Sequence, residues 1–270
     1  MKASVKIWFN HLATRRSSGT AYHYKMHVTN FLIWLEDKPV EPCTIEDYVT
    51  HVLARSTKAT ANNHIAALKS FFAWYAPRNH LPDPTVEIKM FPKCEIKPRR
   101  QRFLTEKEYA AVLLVAENGI GRDTIEFLAN TGLRRAEYCK LNGQLLDENG
   151  THLLVKSGKG NKDRKVPVNA KVREIIDRNR HPNGTLLCVT YWKNANDIWC
   201  WCQSLARRAE IPAFGPHALR HYFATALIRR GVPLKLVSLI LGHASVTMTE
   251  QIYCHLVPTD TTGATDCLNG

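Results

Sequence analysis

The chain has 270 residues, and its 37 Lys and Arg against 24 Asp and Glu give a formal net charge of +13 at pH 7. With 44% hydrophobic and 23% charged residues, the composition is that of a folded globular protein and excludes a disordered chain. The length suits one large domain or two ordinary ones, and the basic excess favours a polyanionic partner.

The sequence indicates a protein that stays inside the cell. No run approaches the ~20 apolar residues of a membrane span, and the start, MKASVKIWFNHLATRR, lacks the apolar core and cleavage site of a secretory signal. The eight cysteines include no Cys-x-x-Cys pair, which favours reduced thiols over a disulfide framework or a zinc site. We therefore expect a cytoplasmic protein, nucleoid-associated if prokaryotic, that contacts no membrane.

The amino-terminal part of the chain has helical patterning throughout. A helix is predicted over 20–36, a second starts at Thr44 in a capping-box-like Thr-Ile-Glu-Asp, and a third surrounds Leu68. Prolines at 77, 82, 84 and 92 end this pattern, and a basic stretch follows. We predict a helical domain over 1–92, a linker over 93–103 and a second domain over 104–270.

The second domain combines helices with one clear pair of strands. Thr105 and Glu108 form a capping box, and one continuous helix is predicted over 123–141. Residues 151–156 (THLLVK) and 164–168 (RKVPV) flank the Gly-rich turn 157–163, which predicts a β-hairpin. The rest is mostly helical, so the predicted fold is mainly α with a small antiparallel β-hairpin, in two domains.

Four segments carry the chemistry. They are TGLRRAEY (131–138), SGKGNKDRKVPV (157–168), PHALRHYFAT (216–225) and LGHASVTMTEQIYCHL (241–256). Each alone has an ordinary structural explanation, but their types and order together resemble the active-site segments of the tyrosine recombinase (phage integrase) family. The resemblance covers about residues 104–256. The amino-terminal region resembles the family's core-binding, SAM-like domain only in its helical, basic architecture.

The resemblance implies a catalytic set and two supporting residues, Glu137 and His221. The catalytic set is Arg134, Lys159, His217, Arg220, His243 and Tyr253. Two guanidiniums suit the crowded nonbridging oxygens of a phosphodiester under attack, which also explains why the family needs no metal or cofactor.

The remaining roles follow from the same resemblance. Tyr253 would attack phosphorus to form a 3′-phosphotyrosine, and Lys159 would protonate the departing 5′-oxygen. His243 would donate to a nonbridging oxygen, whereas His217 either bonds the phosphate or accepts the tyrosine's proton, and the sequence leaves both roles open. Tyr222 is an alternative nucleophile, although its place in a helix suits packing better.

Basic residues of the linker and the hairpin are expected to contact DNA phosphates. They are Lys97, Arg99, Arg100, Arg102, Lys156, Lys162 and Arg164. The family resemblance implies double-stranded DNA with paired half-sites as the partner, a homotetramer on that DNA, and strand exchange through a four-way junction. An accessory DNA-bending protein is a further candidate partner.

Two features depart from the family pattern. His243 and Tyr253 are ten positions apart, one more than in many members. Either 244–249 loops out, as Ser245, Thr247 and Thr249 suggest, or Tyr253 enters at a shifted angle. In addition, Pro258 and Gly263 argue against a long terminal helix that would couple protomers.

Three alternatives compete with a site-specific recombinase. A catalytically idle DNA-binding relative would keep the fold without the reaction, and a type IB topoisomerase would use a similar residue set to relax supercoils as a monomer. A metal-dependent nuclease or transposase needs clustered carboxylates, and the sequence offers no convincing triad. The DNA target and the choice among integration, excision and dimer resolution are left open.

Overall fold

The computed structural model describes residues 1–96, 102–141, 146–156, 163–181, 185–243 and 245–253. The chain divides into two compact units, Met1–Arg99 and Arg100–Gly270. Within the described ranges, none of the helices has both the length and the apolar character to cross a membrane. The cysteines in these ranges are free thiols.

The first unit is a bundle of helices. Its elements are α1 (Lys2–Ala13), α2 (Ser18–Leu35), α3 (Pro42–Leu53), α4 (Lys58–Arg78) and a short 3-10 turn (Lys93–Glu95). Trp8 of α1 packs edge-on against Phe71 of α4, and Phe31 of α2 packs edge-on against Tyr48 of α3 and Phe72 of α4, so aromatic rings join all four helices. Helix α2 matches the predicted helix over 20–36, and it begins earlier because the Ser17 side chain accepts from the Thr20 amide.

The predicted start of a helix at Thr44 is wrong. Helix α3 begins at Pro42, whose fixed φ and missing N–H suit the first turn of a helix. Thr44 is buried in that turn, and its hydroxyl donates to the carbonyl of Pro39 at 2.8 Å. The hydroxyl therefore ties α3 to the preceding loop and does not cap a helix.

The second unit surrounds a separate apolar core. Its helices and strands are α5 (Glu106–Val115), α6 (Ile120–Thr131), α7 (Arg135–Tyr138), β1 (His152–Val155), β2 (Arg164–Pro167), α8 (Ala170–Asn179), α9 (Leu187–Thr190), α10 (Ala195–Arg208), α11 (Pro216–Arg229), α12 (Leu234–Leu241) and α13 (Val246–Tyr253). The predicted fold class, mainly helical with a small antiparallel sheet, is confirmed.

Two local predictions for this unit are confirmed. Strands β1 and β2 pair antiparallel with Val155 opposite Arg164, and Leu153 and Val166 face the core. At the start of α5, Thr105 and Glu108 make both hydrogen bonds of a capping box. The hairpin turn 157–162, with Lys159 and Lys162, lies outside the described residues.

Two expectations about helices are corrected. The continuous helix predicted over 123–141 is broken, because α6 ends at Gly132, whose φ of +62° is left-handed. A side chain at Gly132 would also collide with the ring of Phe223. Of the two alternatives for the spacing between His243 and Tyr253, the loop over 244–249 is contradicted from residue 246 onward, where α13 begins.

Candidate active site

Two helix ends that terminate in glycine frame the site. Gly132 ends α6, and Gly242 ends α12 with a φ of +65°. A Cβ on Gly242 would lie 2.8 Å from Cδ of Arg164. Both glycines therefore permit left-handed backbone and a close approach of neighbouring side chains, which any larger residue would oppose.

Three arginines converge on the carboxyl end of α12. Arg164 Nε donates to the carbonyl of Ile240 at 2.8 Å, Arg220 Nη2 to Leu241 at 2.7 Å, and Arg134 Nη2 to Gly242 at 3.1 Å. Carbonyls at a helix end lack partners within the helix and carry its partial negative charge. The end of α12 therefore holds three guanidiniums, which come from the starts of α7 and β2 and from α11.

Glu137 is the carboxylate that these arginines share. Its oxygens accept 2.8 Å hydrogen bonds from Arg134 Nη1, from Arg164 Nη1 and Nη2, and from the Arg134 backbone amide. Burial by itself raises the pKa of Glu137, but the hydrogen bonds and charges of the two arginines outweigh it and lower that pKa to about 2. One negative charge thus stands among three positive ones, which leaves the cluster able to bind an anion.

Arg220 is the most deeply buried of the three, with 5% of its surface exposed. Its Nη1 donates to the carbonyl of Gly132 at 2.7 Å, so this guanidinium spans both glycine-capped helix ends. Burial, followed by the positive charges of Arg134 and Arg164, lowers the pKa of Arg220 to about 9. The guanidinium stays charged at neutral pH, and a bound phosphate would offset its burial and the repulsion from Arg134 and Arg164.

Three histidines accompany the arginines. His217 and His221 are one turn apart on α11, and His217 is exposed. His243, just after Gly242, is hydrogen-bonded through Nδ1 to Oγ1 of Thr249 at 2.7 Å. Burial and then the charges of Arg220 and other neighbours lower the pKa of His243 to about 4, so its ring is neutral at pH 7.

Tyr253 is the last residue of α13 and is 1% exposed. Its hydroxyl lies 2.6 Å from Nδ1 of His221, and the ring of Phe103 packs against both side chains. Burial, then the charges of His217 and Arg220, lower the pKa of His221 to about 4. Burial raises the pKa of Tyr253, while Arg220 lowers it. A neutral imidazole protonated on Nε2 can accept the hydroxyl proton of a neutral tyrosine.

The structure places most of the predicted catalytic residues in one neighbourhood. Contacts or mutual charge effects link Arg134, Glu137, His217, Arg220, His221, His243 and Tyr253. Tyr222 faces away from this network, since its ring stacks on Tyr109 at 4.4 Å between centroids. Sequence reasoning missed the contacts of Thr249 with His243 and of Phe103 with His221 and Tyr253, because neither residue is part of a charged motif that would single it out.

The expected DNA-contacting residues have varied surroundings. Lys97, Arg99, Arg100 and Lys162 lie outside the described residues. Lys156 is exposed beside the end of β1, whereas Arg102 pairs with Glu108 and donates to the carbonyl of Phe103. The Arg164 side chain is 8% exposed and faces Glu137 and Ile240, not solvent. In the described ranges, no three His, Cys, Asp or Glu side chains group as metal ligands.

Two family profiles match the chain. The phage integrase family matches residues 102–259, and the phage integrase N-terminal SAM-like domain matches residues 5–79. The tyrosine recombinase XerD of Ralstonia nicotianae is 31% identical over 258 residues, which cover 86% of this chain and 82% of that protein. A tyrosine recombinase of Thermosipho africanus is 29% identical over 278 residues, covering 95% and 96%.

Solved structures show the same fold. A lambda integrase dimer bound to a COC′ core site superposes with a TM-score of 0.75 at 18% identity, covering 93% of this chain and 94% of that one. The Tn1549 transposon integrase in complex with circular intermediate DNA gives 0.66 at 19% identity, covering 98% and 99%. The chain belongs to the phage integrase family, the tyrosine-type site-specific DNA recombinases.

Proposed function

We propose that this recombinase cuts and rejoins DNA through a covalent 3′-phosphotyrosine and needs no metal ion. The observation that carries this proposal is the cluster of Arg134, Arg164 and Arg220 around the end of α12, with one carboxylate among them. Such a cluster supplies fixed positive charge where a phosphodiester under attack gathers negative charge. These arginines would supply the positive charge that a bound metal ion supplies in metal-dependent nucleases.

The scissile phosphate binds to Arg134 and Arg220. Each guanidinium still has N–H groups beyond those bonded to backbone carbonyls or Glu137, and these donate to the nonbridging oxygens. His243, fixed by Thr249, donates through Nε2, and His217 lies at the exposed start of α11. His217 either bonds the phosphate or accepts the nucleophile's proton.

Tyr253 supplies the nucleophile. Its oxygen forms a bond to phosphorus while the bond to the 5′-oxygen breaks, and the phenolic proton passes to a nearby base. The departing 5′-oxygen takes a proton from Lys159, a role that rests on the family resemblance because Lys159 lies outside the described residues. A 5′-hydroxyl of another strand then attacks the phosphotyrosine and restores both the phosphodiester and the tyrosine.

The assembly is proposed from structural neighbours. A lambda integrase tetramer bound to a Holliday junction shares this fold with a TM-score of 0.74 at 17% identity. By analogy, we propose that four copies of this chain join two DNA sites with paired half-sites and exchange strands through a four-way junction. We also propose that an accessory DNA-bending protein takes part. Basic side chains contact the DNA phosphates, namely Lys97, Arg99, Arg100, Lys156 and Lys162.

Covalent capture tests the chemistry. Wild type and Tyr253→Phe are incubated in EDTA with fragmented genomic DNA of the source organism, the reaction is stopped with SDS, and protein-bound DNA is sequenced. We expect adducts from wild type alone, clustered at one sequence. Tyr253→Phe should still bind DNA, since the substitution removes a hydroxyl and no positive charge.

Three other results of the capture experiment would contradict the proposal. Adducts formed by Tyr253→Phe would contradict the assignment of the nucleophile. Tight binding without any adduct would favour an idle DNA-binding relative. Adducts spread over all sequences, with relaxation of supercoiled plasmid by a monomer, would favour a type IB topoisomerase.

A further inference from the structure

All three guanidinium nitrogens of Arg164 donate hydrogen bonds inside the protein. It is the first residue of β2, directly after the hairpin turn, and its side chain is 8% exposed. Nη1 and Nη2 donate to the two oxygens of Glu137 at 2.8 Å each, and Nε donates to the carbonyl of Ile240 at 2.8 Å. This paired, planar contact is the geometry that arginine makes with a carboxylate and that lysine cannot reproduce.

The same carboxylate fixes Arg134. Glu137 accepts from the Arg134 side chain and from its backbone amide, both at 2.8 Å. Arg134, in turn, reaches the carbonyl of Gly242. A chain of contacts therefore runs from β2 through Glu137 to Arg134, and Arg164 also touches α12 directly at Ile240.

The charge of Arg164 affects how strongly Glu137 neutralises Arg134. If Glu137 had Arg134 as its sole partner, the carboxylate would neutralise the guanidinium that must bind phosphate. Because Arg164 makes two ion-paired hydrogen bonds to Glu137 in a largely buried place, it offsets that negative charge where water screens it little. Arg134 then keeps both a fixed orientation and a net positive charge toward its ligand.

We propose that Arg164 is a positioning residue that orients Arg134 through Glu137 and preserves its charge for the scissile phosphate. This inference rests on the proposed function and differs from the phosphate contact that the sequence suggested for Arg164. Arg164 also links β2 to the proposed phosphate-binding end of α12 through the carbonyl of Ile240. The position of β2 is therefore fixed relative to the arginine cluster.

The test separates cleavage from binding. Arg164→Gln removes the charge, and Arg164→Lys keeps the charge but not the paired contact. Arg178→Gln is the control for loss of an arginine–carboxylate pair in the same unit: Arg178, 46% exposed, pairs with Asp123, a carboxylate that is 5% exposed. The rate of adduct formation is measured in a single turnover, with protein in saturating excess over a nicked duplex that carries the sequence recovered by covalent capture. Affinity for an intact duplex of about 30 base pairs is measured over a range of KCl concentrations. The melting temperature of each variant is also recorded.

We expect Arg164→Gln to slow adduct formation about a hundredfold, the usual effect of a misplaced catalytic group. Arg164→Lys should recover part of this loss. Affinity and its salt dependence should match wild type for both, and Arg178→Gln should cleave at the wild-type rate even if its melting temperature falls as far. This last comparison separates positioning from a general loss of stability.

Other results would overturn the inference. A phosphate contact would appear as weaker binding by Arg164→Gln, with the slope of log affinity against log salt reduced by about 0.9, and as normal binding by Arg164→Lys. Wild-type cleavage by Arg164→Lys would show that the paired contact is unnecessary, even if Arg164→Gln fails to fold. No adduct from wild type would instead defeat the proposed function, and the inference with it.

Discussion

The positive charge of Arg220 is stabilised within the protein by the dipoles of backbone carbonyls. Its hydrogen bonds go to the carbonyls of Gly132 and Leu241, and two further guanidiniums lie near enough to lower its pKa. Holding like charges together in a buried place costs free energy, which a bound phosphate would return. At the scale of the residue, the site concentrates positive charge that a bound phosphate would offset.

Thr249 provides a residue-scale test of how His243 is oriented. The threonine side chain is fully buried, and its hydroxyl is bonded to Nδ1 of the histidine. Thr249→Val keeps the shape, removes this bond and should destabilise the fold by about 1–3 kcal/mol. Because the imidazole is then free to turn, adduct formation should slow about ten- to a hundredfold. Urea unfolding and single-turnover cleavage measure the two effects.

Thr247→Val is the control for this prediction. Thr247 lies on the same helix but is exposed, so its replacement should change neither stability nor cleavage. If Thr249→Val cleaved as fast as wild type, the hydrogen bond could not be what orients His243.

At the scale of the element, the end of α12 organises the site. Gly242→Ala should cost about 1–2 kcal/mol for left-handed backbone, plus the cost of displacing Arg164, whose Cδ would lie 2.8 Å from the new Cβ. Gly231→Ala is the matched control, since Gly231 has a φ of +82° and open space around its Cβ position. We expect both variants to be destabilised in urea and Gly242→Ala alone to lose cleavage activity.

Cleavage by Gly242→Ala at the wild-type rate would contradict this view of α12. The displaced Arg164 would then have no effect on the arginine cluster. Loss of cleavage in both variants would point to backbone strain as the cause, because strain is the feature that they share.

Elements could be predicted from the sequence where their signals are local. The capping box of Thr105 and Glu108 and the two strands of the hairpin depend on near neighbours. The break at Gly132 comes from its left-handed backbone, and the reason no side chain fits there is the ring of Phe223, which is distant along the chain. The catalytic residue types were recognisable as motifs, but the partners of Arg164 come from two other segments, so a reading of the hairpin alone suggested a phosphate contact.

At the scale of the whole molecule, both units contain histidines that are at least partly buried. Burial is the main cause that lowers the pKa of His27 and His64 in the first unit and of His221 and His243 in the second. In the unfolded chain these rings take up protons near pH 6.5. The folded chain binds fewer protons below that pH, so the free energy of unfolding falls as the pH falls from about 6.5 toward 4. Urea unfolding at about pH 7.5 and pH 5 should show this loss.

His27 offers a way to isolate one contribution. In the described part of the chain its buried Nδ1 has no hydrogen-bond partner, and its ring centre is 4.0 Å from that of His64. His27→Leu removes this unpaired atom and one site of proton uptake, so the variant should be at least as stable as wild type at pH 7.5 and lose less stability at pH 5.

His64→Leu should behave differently, because it strips the buried Tyr48 hydroxyl of its partner at 2.9 Å. It should destabilise the fold by about 1–3 kcal/mol at pH 7.5 and by less at pH 5, because it also removes one site of proton uptake. If His27→Leu lost as much stability in acid as wild type, proton uptake by His27 would not be a source of the acid sensitivity. His64 and the histidines of the second unit would then have to account for it, because burial lowers their pKa values as well.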